Sequence, residues 1–113
     1  MNNITELEHF VLLIAARLND NEHVVRFKHT NKGLKTVTRK KCRVYITNNK
    51  TYNTRFLTVS WYGDHEDGLG EILQHAEVDV KLIKHITINE KGKVTIKAVN
   101  RWVNNDNITL EII

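Results

Sequence analysis

Apolar residues recur along this chain with two different periods. Leu7, Phe10, Val11, Ile14 and Leu18 fall three or four apart, the spacing of one helix face. Just before them, Thr5-Glu6-Leu7-Glu8 has capping-box spacing, in which a threonine hydroxyl accepts the free N–H three residues on. This predicts a helix to about Leu18, ended by Asn19-Asp20-Asn21. Leu12, Leu13, Ala15 and Ala16 widen the apolar arc beyond one stripe. Such a helix is either deeply buried or offers a second face to a partner.

Beyond Asn21 the period shortens to two, the signature of half-buried strands. In His23 to His29, Val25 and Phe27 face one way while Val24, Arg26 and Lys28 face the other. Lys35 to Thr47 reads as a long strand with Cys42, Val44 and Ile46 inward and Arg39, Lys41, Arg43 and Tyr45 outward. Arg55 to Tyr62 places Leu57, Val59 and Trp61 on one face and Phe56, Thr58, Ser60 and Tyr62 on the other. Leu69, Ile72, Leu73 and Ala76 have the spacing of a short helix, with Asp67 near its N-terminus. Alternation then returns over Val78 to Ile88, Val94 to Val99 and Ile108 to Ile113, with Glu90-Lys91-Gly92-Lys93 as a hairpin turn.

The predicted order is α-β-β-β-α-β-β-β, an α+β fold with the N-terminal helix packed on a mostly antiparallel sheet, because the strand connections are short. Three strands, a helix and two more strands is also the order of an oligonucleotide-binding barrel, which makes an OB-like barrel the alternative. At 113 residues the chain reads as one domain, 1–113, large enough to bury a core without staples. Its longest apolar run, Phe10 to Ala16, is far short of the roughly 20 residues that span a bilayer, so no membrane association is expected. A lone cysteine, Cys42, and the lack of a leader pattern suggest a cytoplasmic protein. Heavy use of Lys, Asn and Ile, all with A/T-rich codons, suggests a low-GC bacterium or its phage or plasmid.

Charge is segregated along the chain. His23 to Gly63 contains ten Lys or Arg and no acid, whereas Asp64, Glu66, Asp67, Glu71, Glu77 and Asp79 follow with no cation until Lys81. Residues 1–56 carry a net +7 and residues 57–113 a net −3, from eleven basic against four acidic and six against nine. Such asymmetry points to a polyanionic or acidic partner for the first half, or to the two blocks facing each other.

The basic strands therefore supply a candidate nucleic-acid site: Arg26, Lys28, Arg39, Lys41 and Arg43 for phosphates, with Tyr45 and Tyr62, and Phe56 among them, as stacking surfaces. If the partner is instead a protein, or a second copy, the acidic loop residues Asp64, Glu66, Asp67 and Glu71 or the first helix would form the interface. A nuclease site is the second alternative, since Asp79-Val80-Lys81 after Asp64 or Asp67 has the D…D-x-K look of a metal-dependent phosphodiesterase. Asp64, His65, Glu66, Asp67 and His75 could in principle hold a metal, but without an established ligand spacing. Ser60, the only serine, lies mid-strand without a nucleophile elbow, and Cys42 alternates onto the apolar face. Trp61 and Trp102 read as core residues, and His9, His23, His29 and His85 have no assignable partners. The expectation is a non-enzymatic binding module without cofactor or metal, contacting nucleic acid or a nucleoprotein. A regulator or an inhibitor of a host nuclease, of the anti-CRISPR type, would suit that setting.

Overall fold

A computed structural model describes residues 5–64 and 71–113, with the backbone alone at Asp64 and Glu71. One helix, α1 (Glu6–Leu18), precedes seven strands: β1 (His23–His29), β2 (Val37–Asn49), β3 (Thr54–Asp64), β4 (Glu71–Asp79), β5 (Ile83–Ile88), β6 (Val94–Val99) and β7 (Asn107–Ile112). The fold is α+β: the helix packs on a single sheet of order β4-β3-β2-β1-β7-β6-β5, and every neighbouring pair is antiparallel.

The helix starts where its sequence says it should. The Thr5 side chain accepts a hydrogen bond from the Glu8 N–H at 3.1 Å, replacing one of the partners that a helix start lacks. His23 then fastens the other end, one ring nitrogen 2.7 Å from the Leu18 carbonyl and the other 3.2 Å from that of Ile113. Val11, Ile14, Ala15 and Leu18 are buried against β2, β5 and the turn before β5. Phe10 and Leu13 remain 41% and 53% exposed, so the wide apolar arc is only half used.

The expected second helix is not formed. Over its described part, Ile72, Leu73 and Ala76 lie in β4, which pairs with β3 over nine residues from Phe56↔Asp79 to Asp64↔Glu71. Their spacing suits a helix, but a hairpin with β3 gives the segment's backbone its hydrogen-bond partners and places Ala76 and Val78 against the core. The strand expected over Val78 to Ile88 is likewise broken. Val80–Leu82 form a single 3₁₀ turn, whose N-terminus is capped by the Asp79 side chain accepting from the Lys81 N–H at 3.0 Å.

That turn fixes the shape of the sheet. Laid flat, seven strands would hold β4 and β5 about 29 Å apart, at about 4.8 Å per strand spacing. The three residues between Asp79 and Ile83 can span at most about 15 Å at 3.8 Å per step. The sheet must therefore coil strongly, bringing its two outer strands together at this end. No β4–β5 pairing closes it into a barrel among the described residues. Its concave side holds the core, where Val25, Cys42, Val44, Leu57, Val59, Leu110 and Ile112 are essentially inaccessible and enclose the buried stripe of α1. Each large apolar side chain there contributes about 1.5–3 kcal/mol by leaving water. No helix among the described residues is long and apolar enough to cross a membrane.

Candidate nucleic-acid interface

The convex face is read from the strand register, because residues directly opposite each other in an antiparallel pair share a face. Arg43 is opposite Ser60, Tyr45 opposite Thr58 and Tyr62 opposite Leu73, all facing away from the core residues Val44, Val59 and Ala76. On β1, Arg26 lies opposite Thr38 on the same side, between the inward Val25 and Phe27. Arg26, Lys41 and Arg43 are exposed, Tyr45 is half-buried and Tyr62 is 69% exposed.

Arg39 does not belong to this surface. Val25 is opposite Arg39 while His23 is opposite Cys42, so two residues of β2, Lys40 and Lys41, face the single residue Val24. This is a β-bulge, and Lys41 sits in it with a left-handed φ of 55°. The extra residue shifts the alternation by one. Arg39 moves to the concave side, where its guanidinium lies 5.4 Å from the centre of the Trp61 ring. Lys40, missed by strict alternation, is exposed beside Lys41 instead. The run Arg39-Lys40-Lys41 was a visible signal; which member turned inward was not.

Two further expected members are altered. The Lys28 ammonium lies 2.8 Å from Glu111 Oε1, and Lys93 reaches Oε2 at 2.5 Å, so Lys28 is already shared with a carboxylate. Hydrogen bonds from Lys28 and Lys93 outweigh burial and hold the Glu111 carboxyl down at about 2. Phe56 is fully buried rather than available for stacking, packed under Tyr52 and Trp102 at ring distances of 6.3 and 5.7 Å.

The acidic block does not neutralise the basic one among the described residues. Asp79 pairs with Arg101 at 2.5 Å and accepts from Thr54 Oγ1 at 3.3 Å, and Glu77 lies 3.2 Å from His75. Asp79 thus neither faces solvent beside Lys81 nor offers an unengaged carboxylate. Arg26, Lys40, Lys41 and Arg43 have no carboxylate partner among the described residues. His65, Glu66 and Asp67 lie outside the described residues, as do the side chains of Asp64 and Glu71, so the acidic-loop interface and most of the expected metal cluster do too.

Compared with known protein families, curated proteins and solved structures, the chain matches none.

Other polar residues build the scaffold. His29 Nδ1 lies 2.7 Å from Asp106 Oδ2, joined by the Asn31 N–H at 2.9 Å and the Asn100 amide at 2.8 Å. Burial alone would raise the Asp106 pKa, but these hydrogen bonds and the imidazole pull it down to about 2. Asp106 thereby ties the β6–β7 connection to the end of β1. Cys42 is wholly buried, and burial pushes its thiol pKa up, which keeps it an inert core residue. Trp102, expected in the core, is 50% exposed and caps a satellite cluster, its indole N–H donating to the Glu77 carbonyl at 3.1 Å.

Proposed function

We propose that this chain is a small non-catalytic binding module that grips single-stranded nucleic acid, alone or within a nucleoprotein, through the convex face of β1–β3. The observation that carries the reading is the cluster of Arg26, Lys40, Lys41 and Arg43, unpartnered among the described residues, with Tyr62 exposed on the same face. Cations that are not committed to carboxylates are free to displace counterions from phosphates. An exposed tyrosine beside them offers a stacking platform that unpaired bases can use and a stacked duplex cannot. In a low-GC bacterial, phage or plasmid setting, such a module would serve as a regulator or as an inhibitor of a host nuclease of the anti-CRISPR type.

Fluorescence anisotropy of labelled single- and double-stranded DNA and RNA, titrated against salt without added metal, tests this. The expected result is tighter binding to single strands, with affinity falling steeply as salt rises. Absence of binding at low salt would remove free nucleic acid as the partner.

A second reading has its own support in Phe10 and Leu13, which leave an apolar strip exposed on α1. A protein partner or a second copy seated there would be displaced by Leu13→Glu and unaffected by the Lys41→Ala/Arg43→Ala pair. The opposite pattern supports the basic face.

A further inference from the structure

We infer that the concave side carries a second, separate site, for a small amphipathic anion: a flat apolar body bearing one carboxylate or similar head. A cavity of about 360 Å³ opens there, within the size range of small-molecule sites. Its walls are largely apolar and aromatic, from Phe27, Val37, Trp61, Val78, Trp102 and Ile108. No residue of α1 lines it, so it lies where the coiled sheet outruns the helix.

The charge of the head follows from what the lining leaves uncompensated. Arg101 is engaged by Asp79, His29 by Asp106 and Glu77 by His75. Arg39 is the one lining cation without a carboxylate among the described residues, and it stands over Trp61. A ring stacked in the aromatic part of the cavity would bring an attached carboxylate to a guanidinium suited to bind it through two parallel hydrogen bonds. The one carboxylate in the lining, Glu77, already has the His75 ring 3.2 Å away, whereas Arg39 faces the cavity with no carboxylate beside it among the described residues. The β2 bulge creates this arrangement, since without it Arg39 would face the other side of the sheet. Arg39 and the convex cations lie on opposite faces of the same strands, while the cavity reaches past the β4 edge to His75 and Glu77, which share the face of Ser60 and Thr58.

The test is an NMR titration of the ¹⁵N-labelled full chain with 2-naphthoate and, as the uncharged counterpart, 2-naphthalenemethanol. Both tryptophans of the chain line the cavity, so their two indole N–H signals report occupancy directly. Saturable shifts of both signals with naphthoate are expected, with the alcohol about tenfold weaker or worse. Arg39→Gln should reduce the acid to the affinity of the alcohol, Arg39→Lys should retain most of the preference, and Lys41→Ala/Arg43→Ala should change neither. No shift at millimolar naphthoate, equal affinity for acid and alcohol, or a preference that survives Arg39→Gln in a folded variant would each overturn the site.

Discussion

Arg101 Nη1 meets Asp79 Oδ2 at 2.5 Å and thereby ties the connection between β6 and β7 to the end of β4, next to the turn where the two outer strands converge. The same guanidinium lies 4.9 Å from the centre of the Tyr52 ring and 5.8 Å from that of Trp102, so the pair is roofed by aromatic side chains. A carboxylate only 3% exposed has given up its water and needs such partners in its place.

Asp79→Ala should therefore destabilise the fold by about 3 kcal/mol, since it removes the ion pair and the cap of the 3₁₀ turn together. Arg101→Met should cost a similar amount, about 3 kcal/mol, because it leaves the buried Asp79 carboxylate without its counter-charge even though the bonds from Thr54 and Lys81 remain. Urea denaturation followed by circular dichroism measures both. An Asp79→Ala variant as stable as the parent would show that this carboxylate does not hold the fold.

Acid should unfold the protein in a defined window. Asp106 and Glu111 fall from ordinary values of 3.8 and 4.5 to about 2 in the folded chain. The unfolded chain therefore takes up their protons first, and protonation favours unfolding. Their contribution is complete above about pH 4.5 and disappears as pH falls towards 2. A tenfold change in proton affinity corresponds to about 1.4 kcal/mol, so Asp106 contributes on the order of 2 kcal/mol and Glu111 on the order of 3 kcal/mol. Glu111→Gln should remove roughly half of the loss over that window in stability measured from pH 6 to 2; an unchanged profile would mean that Glu111 does not contribute.

What the sequence revealed, and what it hid, follows from the range of the interactions. The helix was legible because Thr5, Glu8 and the apolar spacing act within a few residues of one another. The core strands were legible because Leu57, Val59 and Val44 sit in regular alternation. β4 was not: Ile72 and Ala76 fit both periods and Leu73 fits only the helical one, so pairing with β3 decides against the local pattern. Arg39 was misplaced because a lysine at positive φ leaves no local mark. The Asp79–Arg101 and His29–Asp106 pairs join residues 22 and 77 positions apart, which no short window connects.

Adjacent helix residues separate the buried from the unpartnered face. Ile14→Ala should cost about 2–5 kcal/mol, since Ile14 is 4% exposed in the core. Leu13→Ala should change stability by no more than about 0.5 kcal/mol in the same urea experiment. Comparable losses at both positions would mean that α1 is also covered on its outer face.

The bulge makes its own prediction. Lysine in the left-handed region is disfavoured by about 1 kcal/mol, and glycine is not. Lys41→Gly should be neutral or mildly stabilising in urea, whereas Lys41→Val, with a branched side chain at φ 55°, should lose about 1–2 kcal/mol. If valine is tolerated as well as glycine, Lys41 does not adopt the bulge conformation and Arg39 returns to the convex face.

The convex cations should differ in ways that their surroundings dictate. Each phosphate contact on a single strand contributes a log–log salt slope of about −0.7. Arg26, Lys40, Lys41 and Arg43 acting together would therefore give about −3. Arg43→Ala should weaken binding across all sequences and lower the slope by about one contact. Tyr62→Ala should weaken binding with the slope unchanged, because stacking releases no counterion. Arg39→Gln should leave affinity and slope as they are, since its guanidinium lies over Trp61 on the other side of the sheet. Anisotropy titrations at several salt concentrations distinguish these cases. A slope that drops for Arg39→Gln but not for Arg43→Ala would place the phosphate track on the concave side and reverse the assignment of the two faces.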